Sequence, residues 1–347
     1  LENLQGEIMY TEVLNCRVCN AETVDILDLG MQHVVDFPLI GEKSERPIAP
    51  LILARCVGCN LVQLKHSVDP SLLYKTFWYR SGINPMMRAA LKDVALGIKE
   101  RVVLQTGDTI LDIGCNDCTF FESFGKDIVK VGIDPAENIV KEIHDGRADA
   151  LICDYFSANA VKIAVPHLAP FKVITAIAMF YDLENPHKFL ADIVRCLRED
   201  GVFVVQMNYL RSMMEQNAFD NISHEHLEYY SLGTLEPLLN QHGLEVFDVE
   251  ENDVNGGSIR IYCSHAGKAV VNYARLAMQR KRELMEGTND PEKIVEFGKR
   301  IDVILSKLRD FLEVAPKPVY VYGASTRGTT LMQAIGFEHA ILIKAAA

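Results

Sequence analysis

The sequence predicts an α/β protein: a Rossmann-like core on a seven-stranded, mostly parallel sheet, with a small cysteine-knuckle domain before it and the start of a further α/β domain after it. Three observations carry this reading. Cys16 and Cys19 form one Cys-x-x-Cys pair, and Cys56 and Cys59 form a second. From Thr109 onward, short apolar runs alternate with helical stretches, which is how a parallel sheet with crossover helices reads. Acidic residues close or flank the first three runs, at Asp112, Asp134 and Asp154, on the strand ends where such sheets hold ligands.

Composition bounds the rest. At 347 residues, 49% apolar and 24% charged, the chain is long enough for more than one core. No apolar run approaches the roughly 20 residues that a bilayer span needs. The formal charge of −12 argues against a nucleic-acid polymer as partner, because a phosphate backbone needs a basic face. A local basic pocket for a small anion is still allowed. Leu1–Gly6 reads as a protease-tag remnant and is set apart from the fold. With no secretory signal, nine cysteines suit a reducing compartment, so the expected location is cytoplasmic and the expected role of paired cysteines is metal binding.

Four segments follow in order. Residues 7–68 form a zinc-binding domain, and residues 69–105 a helical linker contributing to the active site, with Leu72, Leu73, Phe77 and then Met86 to Ile98 at helical spacing. Residues 106–265 form the Rossmann-like domain. Its expected strands are Ile110–Gly114, Val129–Asp134, Ala150–Asp154, Val173–Ala178, Val202–Met207, Leu244–Val249 and Ser258–Cys263. Residues 266–347 hold a helical segment and an incomplete C-terminal α/β domain. There a charged helical stretch over 268–315 contains glycine only at Gly287 and Gly298. A strand at Val319–Tyr322 then feeds Gly323 and a helix, and another strand is expected at Ala340–Ile343.

Each Cys-x-x-Cys pair places two sulfurs on one tight turn, and Gly58 permits the second turn. Four thiolates close a tetrahedral zinc site with no open position, so the metal is read as structural. The loop between the pairs is longer than in a compact zinc ribbon, so a β-hairpin or small subdomain must fill it. The competing reading is four free or disulfide-paired cysteines.

Thr109-Ile-Leu-Asp-Ile-Gly114-Cys-Asn116-Asp-Cys-Thr119 reads as strand, loop and helix start, with Gly114 letting the backbone approach a ligand. Asp134 follows about 20 residues later, where a carboxylate takes both ribose hydroxyls. Asp154 is placed to accept from an adenine amino group. The set asks for an adenosine. The Gly-x-Gly-x-x-Gly fingerprint that admits a dinucleotide pyrophosphate fails, because Asn116 and Thr119 follow Gly114. S-adenosylmethionine has no pyrophosphate and is the expected cofactor. Phe180 and Tyr181, after the fourth strand, pack on it or simply in the core.

The knuckles, the Asp-Ile-Gly-x-Asn-Asp loop, Met179-Phe-Tyr-Asp-Leu-Glu-Asn-Pro186, His224-Glu-His226-x-x-Tyr229-Tyr230-Ser231 and Gly256-Gly257-Ser258-x-Arg260 occur in this order. The set resembles the sugar C-methyltransferases, which act on nucleotide-linked 4-ketohexoses in deoxysugar biosynthesis. The resemblance covers nearly the whole chain, and Tyr322-Gly-Ala-Ser325-Thr-Arg327-Gly328 looks like the start of that family's C-terminal α/β domain. It implies a class I methyltransferase core, zinc on Cys16, Cys19, Cys56 and Cys59, and S-adenosylmethionine at the Asp112–Asn116 loop. It also implies His226 as the base, with Glu225 beside it and Tyr79 near the substrate ketone. Two positions depart from the family: Cys118 stands where glycine is usual, and Ser223 precedes His-Glu-His where several members carry tyrosine.

C-methylation fits these residue types. A carbon next to a ketone becomes a nucleophile when a base removes its proton, and histidine titrates near working pH. His224 and His226 are both candidates, against the alternative that they satisfy loop backbone groups. A metal reading of the pair is weak, since His-Glu-x-x-His is absent. Tyr229 and Tyr230 are expected to open the next helix and close over a sugar, or to be core. Asn208 ends the fifth strand and is expected at the substrate crevice.

Gly256-Gly257 reads as a turn, and Arg260 beside it as a phosphate partner. Ser325 and Arg327, at the start of the last helix, are expected to hold a pyrophosphate, unless Ser325 merely caps that helix. The expected substrate is therefore a nucleotide sugar. Rival readings are an O- or N-methyltransferase on a related metabolite, a non-catalytic protein that keeps the cofactor fold, and a zinc-knuckle RNA methyltransferase. The acidic balance weakens the last.

Overall fold

The computed structural model describes residues 10–34, 47–323 and 325–346; Leu1–Gly6, residues 35–46 of the loop between the knuckles, and Ala324 lie outside them. The chain divides into two compact units. The sheet unit comprises Pro70–Asn208 and Leu235–Arg282, and the knuckle unit takes the residues before Pro70, Tyr209–Thr234 and the residues from Glu283. Residues 209–234, which lie inside the 106–265 segment of the sequence, thus cluster with the cysteine knuckles. Among the described residues no helix is long and apolar enough to cross a membrane.

The sheet unit carries seven strands: β1 (Thr109–Ile113), β2 (Val129–Ile133), β3 (Ala150–Ile152), β4 (Phe171–Ile177), β5 (Leu197–Asn208), β6 (Leu244–Asn252) and β7 (Ser258–His265). Their order is β6-β7-β5-β4-β1-β2-β3. Strands β1 to β5 pair in parallel, while β7 runs antiparallel between β5 and β6. Residues Phe171 to Ala176 of β4 are all buried, as expected of a strand covered on both faces. All seven expected runs are strands, with ends displaced by a few residues. β3 stops at Ile152, which leaves Asp154 in the following loop.

Strand order reverses between β1 and β4, and the ends of such strands form the ligand crevice of a doubly wound sheet. The crossovers are brief: a 3-10 turn over Thr119–Ser123, then helices Glu137–Val140, Ala158–Ala164 and Pro186–Cys196. Ser157 and Asn185 cap the last two through their side-chain oxygens, satisfying helix-start N–H groups. The helix Pro85–Arg101 buries Leu91, Val94 and Ile98 with Phe120, Phe121 and Val173.

The knuckle unit holds a four-stranded sheet in the order Glu228–Tyr229, Val62–Leu64, Ile48–Cys56, Thr23–His33, antiparallel throughout. The two long strands are the hairpin arms expected between the cysteine pairs. Helix Pro291–Val314 starts on an Asp290 cap and buries Ile294, Phe297, Gly298, Ile301 and Leu305, the spacing of one helical face. A Cβ at Gly298 would stand 2.0 Å from Ile26 O, so only glycine lets this helix lie against the sheet backbone.

Two expectations shift here. Phe337–Ala340 is a helical turn closed by Ile341 N donating to Phe337 O, and the strand comes later, at Ile343–Ala346, parallel to Val319–Val321. The expected run Ala340-Ile-Leu-Ile343 suits a strand, but Ile341 N and Leu342 N close the preceding turn on Phe337 O and His339 O, so the strand starts only at Ile343. Tyr229 and Tyr230 do not open a helix, which begins at Leu232. Thr234 N donates to Ser231 Oγ at 3.1 Å and Ser231 N to Thr234 Oγ1 at 3.0 Å. That reciprocal cap fixes the start two residues on.

Glu283 gathers several chain segments of the knuckle unit. Its carboxylate accepts from Tyr209 Oη at 2.5 Å, Leu232 N at 2.6 Å and Gly233 N at 3.0 Å. Burial raises its pKa.

Candidate active site and metal centre

The sulfurs of Cys16, Cys19, Cys56 and Cys59 lie within 4.8 Å of one another. Cys16 Sγ is 3.6 Å from Cys59 Sγ and Cys19 Sγ is 3.3 Å from Cys56 Sγ. These separations are too long for a disulfide, about 2.05 Å, and near the edges of about 3.8 Å that four Zn–S bonds of about 2.3 Å define. Each turn aims backbone N–H groups at its first sulfur. Val18 and Cys19 donate to Cys16 Sγ at 3.4 and 3.5 Å, and Gly58 and Cys59 donate to Cys56 Sγ at 3.3 and 3.4 Å. Such donors favour the thiolate. A hydrogen bond from Cys59 holds Cys16 down to about 5, while the same contact and burial push Cys59 up. Four sulfurs at tetrahedral spacing fit zinc, and no ligand position stays open for chemistry.

The sheet unit brings Asp112, Gly114, Asn116 and Asp134 together at the ends of β1 and β2. Thr175 Oγ1 donates to Asp112 Oδ1 at 2.6 Å, yet burial pushes Asp112 up to about 7. Asp134 accepts from Asn116 N and Ala136 N, both at 2.8 Å, and burial raises it as well. Gly114 turns with φ +70°, and a Cβ there would meet Met179 Cγ at 3.2 Å. Asn116 reaches the helical linker: its Nδ2 donates to Tyr79 O and its Oδ1 accepts from Ser81 N, both at 3.0 Å. Two buried carboxylates short of compensation fit a cationic ligand that also carries hydroxyls, and S-adenosylmethionine has an ammonium, a sulfonium and a ribose.

Cys118 sits at φ +61°, in the left-handed region. A side chain there costs roughly 1–2 kcal/mol relative to glycine, which is the physical meaning of the departure noted at this position. Asp154 is exposed and accepts from Tyr155 N. Phe180 is fully buried, edge-on to Phe189 at 5.7 Å, and Tyr181 is buried. The Phe180 contacts with Phe189 and Phe203 are core packing. Asn208 closes β5, and its buried Oδ1 has no hydrogen-bond partner among the described residues.

In the knuckle unit, His226 Nδ1 lies 2.7 Å from Asn221 O. A carbonyl only accepts, so Nδ1 carries the proton and Nε2 is the acceptor nitrogen. Burial pushes His226 down to about 4, so the ring is neutral at pH 7. His224 is buried, pushed down to about 4, and its Nε2 is 3.2 Å from Ala49 O. Its ring therefore serves the backbone of a neighbouring strand. Glu225 is half-buried. Tyr229 pairs with Val62 in the small sheet, and Tyr230 is fully buried with its phenol pushed up by burial.

Three expected phosphate partners are engaged elsewhere. Arg260 is buried, donating to Gln206 Oε1 at 2.8 Å and Asp93 Oδ2 at 2.6 Å, with Glu250 Oε2 at 3.3 Å. A guanidinium out of water needs carboxylates, and these take its fork. Arg327 forms a two-pronged pair with Asp220, at 2.7 and 3.0 Å. Ser325 Oγ accepts from Gly328 N at 3.2 Å and caps helix Thr326–Ala334. Sequence reasoning also missed two supports, Thr175 beneath Asp112 and Asn221 behind His226. Only Thr175 left a trace, a hydroxyl inside the apolar run Val173–Ile177.

Domain models match along the chain: a zinc binding domain over residues 16–74, a methyltransferase domain over 87–249 and a C-methyltransferase C-terminal domain over 253–346. The C-methyltransferase NovU of Streptomyces niveus is 30% identical over 334 residues, which is 93% of this chain and 79% of that protein. Similar solved structures include an S-adenosylmethionine-dependent methyltransferase from Clostridium acetobutylicum, 14% identical over 52% of this chain and 92% of that one, TM-score 0.41. The plantazolicin methyltransferase BpumL with S-adenosylhomocysteine is 16% identical over 52% of this chain and 85% of that one, TM-score 0.39. A relative this similar over this much of both chains decides the family: the protein belongs to the C-methyltransferases, as an S-adenosylmethionine-dependent enzyme with a zinc-binding domain.

Proposed function

We propose that the protein methylates a carbon beside the ketone of a nucleotide-linked keto sugar, with His226 as the base. The observation that carries the proposal is the His226 ring, fixed by Asn221 O with Nδ1 as donor and Nε2 as its acceptor nitrogen. A neutral imidazole needs no prior deprotonation to take a proton from carbon. Glu225, its chain neighbour, supplies the carboxylate that offsets the imidazolium so formed. Burial pushes the Tyr79 phenol up, so it stays protonated and able to donate to the enolate oxygen. Asn208 Oδ1, buried and open to a donor, suits a sugar hydroxyl. When bound, S-adenosylmethionine would supply the electrophilic methyl group and a neutral thioether as its leaving group.

The test offers a panel of nucleotide-linked 4-ketohexoses in D2O. Wild-type protein should exchange the proton beside the ketone and, with S-adenosylmethionine, yield a C-methyl signal in product NMR. His226→Asn should slow both by roughly 100-fold while cofactor affinity holds. Exchange at the wild-type rate in that variant would move the base elsewhere. No C-methylated product from any member of the panel would remove the substrate class.

A further inference from the structure

Arg17, between the first two zinc ligands, is the residue through which the knuckle meets the His226 segment. Its backbone N donates to Gln63 Oε1 at 2.9 Å, its Nη1 to Leu64 O at 2.6 Å and its Nη2 to Ser67 Oγ at 2.7 Å. Its Nε stands 3.8 Å from Glu228 Oε1, and the two side chains are 2% and 0% exposed. Gln63 Nε2 donates in turn to Asn15 O, one residue before the first ligand. The second knuckle reaches the same strand, because Cys56 N donates to Leu61 O at 2.8 Å.

On its other edge the strand Val62–Leu64 pairs with the segment that follows His226. Leu64 N donates to Leu227 O at 2.8 Å, Gln63 faces Glu228 and Val62 faces Tyr229. Leu227 is the residue next to His226, and His226 N itself donates to Ser223 O at 3.0 Å. One three-residue strand therefore has the strand that ends in Cys56 on one edge and the His226 segment on the other, where Arg17 of the first cysteine pair also reaches Leu64 O and Glu228. A fully buried guanidinium–carboxylate pair is a poor way to gain stability, since apolar residues of similar volume usually serve as well. What the Arg17 fork adds is a fixed direction toward a carbonyl, a hydroxyl and a carboxylate at once.

We infer that Arg17 is a positioning residue: anchored by the zinc knuckle, it sets the place of the His226 ring through Leu64 and Glu228. Zinc then acts on the reaction at a distance, by holding Arg17 and not by touching substrate. The inference rests on His226 being the base, so its test also reads the ring directly.

The experiment compares full-length, zinc-loaded wild type with Arg17→Lys and Glu228→Gln. It measures zinc per chain, S-adenosylmethionine affinity, turnover of the 4-ketohexose nucleotide used above, and the His226 ring signal in 1H–13C NMR. That signal is assigned by its loss in His226→Asn. The expected result is one zinc per chain and cofactor affinity within twofold in both variants. With it come a displaced His226 signal and kcat at least tenfold lower, KM changing less than kcat.

A wild-type ring signal with kcat within twofold would overturn the inference. Loss of zinc in both variants would overturn it too, because Arg17 would then serve the metal site itself. The ring signal keeps this test separate from that of the base. If His226→Asn leaves proton exchange intact, the base assignment fails, while the signal still reports whether Arg17 holds the ring.

Discussion

The two units bury ionisable groups with opposite consequences. In the knuckle unit, burial pushes His224 and His226 down to about 4, so both rings are neutral in the folded protein. In the sheet unit, burial pushes Asp112 up to about 7 and raises Asp134, so Asp112 leans toward holding a proton. One physical cause, loss of water around a charge, produces both. For imidazole it leaves the form that accepts protons. For carboxylate it leaves a group that a cationic ligand can relieve. The same effect thus acts on the histidine proposed as base and on the carboxylates proposed to face the cofactor.

The largest predicted effect would separate the units by their dependence on metal. Chelation, or Cys59→Ser, should remove the zinc and unfold the knuckle unit, since a structural zinc contributes about 10–16 kcal/mol. Hydrogen exchange should then show lost protection over the strands Ile48–Cys56 and Val62–Leu64 and retained protection over β1 and β4. Loss of protection in both would break the contrast.

Acidity should sharpen it, with effects of a few kcal/mol at most. A histidine at about 4 folded and about 6.5 unfolded binds fewer protons in the folded state between those values. The knuckle unit therefore loses stability as pH falls from about 6.5 toward 4. Asp112 has the reverse sign: with its folded pKa near 7, the sheet unit without ligand loses stability as pH rises from about 4 to about 7. A cationic ligand prefers the carboxylate, so S-adenosylmethionine affinity should rise with pH up to about 7 and then level off. Calorimetry in two buffers of different ionisation heat should count the released proton, and Asp112→Asn should abolish the release. A flat pH profile in wild type would place the cofactor's charge away from Asp112.

The smallest effect concerns Arg327. Its pair with Asp220 is partly exposed, 42% and 28%, and such pairs contribute about 0–1 kcal/mol. Arg327→Ala should change melting temperature slightly, and neither S-adenosylmethionine affinity nor the KM for a nucleotide sugar. A tenfold rise in that KM would return Arg327 to the pyrophosphate.

The sheet was readable from sequence because a parallel strand covered on both faces is a run of apolar residues, and Val173–Ile177 or Val202–Met207 shows this without reference to any partner. The knuckles were readable because the spacing of each pair is local. The ion pairs of Arg260 and Arg327 were not, because Asp93 and Asp220 lie more than a hundred residues away in sequence and leave no local pattern. The same holds for residues 209–234, whose scattered apolar residues give no sign that Leu210, Met213 and Phe219 cluster with Leu27, Leu53 and Ile294. Asn221 shows the limit most plainly. What fixes the His226 tautomer is its backbone carbonyl, which every residue type carries.

The four chain crossings, at Asp69/Pro70, Asn208/Tyr209, Thr234/Leu235 and Arg282/Glu283, bear on how the molecule can be divided. The shortest single stretch that contains the whole sheet unit, Pro70–Arg282, also contains residues 209–234, including His226, but neither cysteine pair nor Glu283. Such a fragment would carry the methyl-donor fold and an orphaned loop. Exchanging cofactor domains between relatives at two cut points would import the donor's loop onto the host's knuckles, with the contact between Arg17 and position 228 mismatched. A workable chimera needs four junctions, and the clasp around Glu283 shows where three of them must be made compatible.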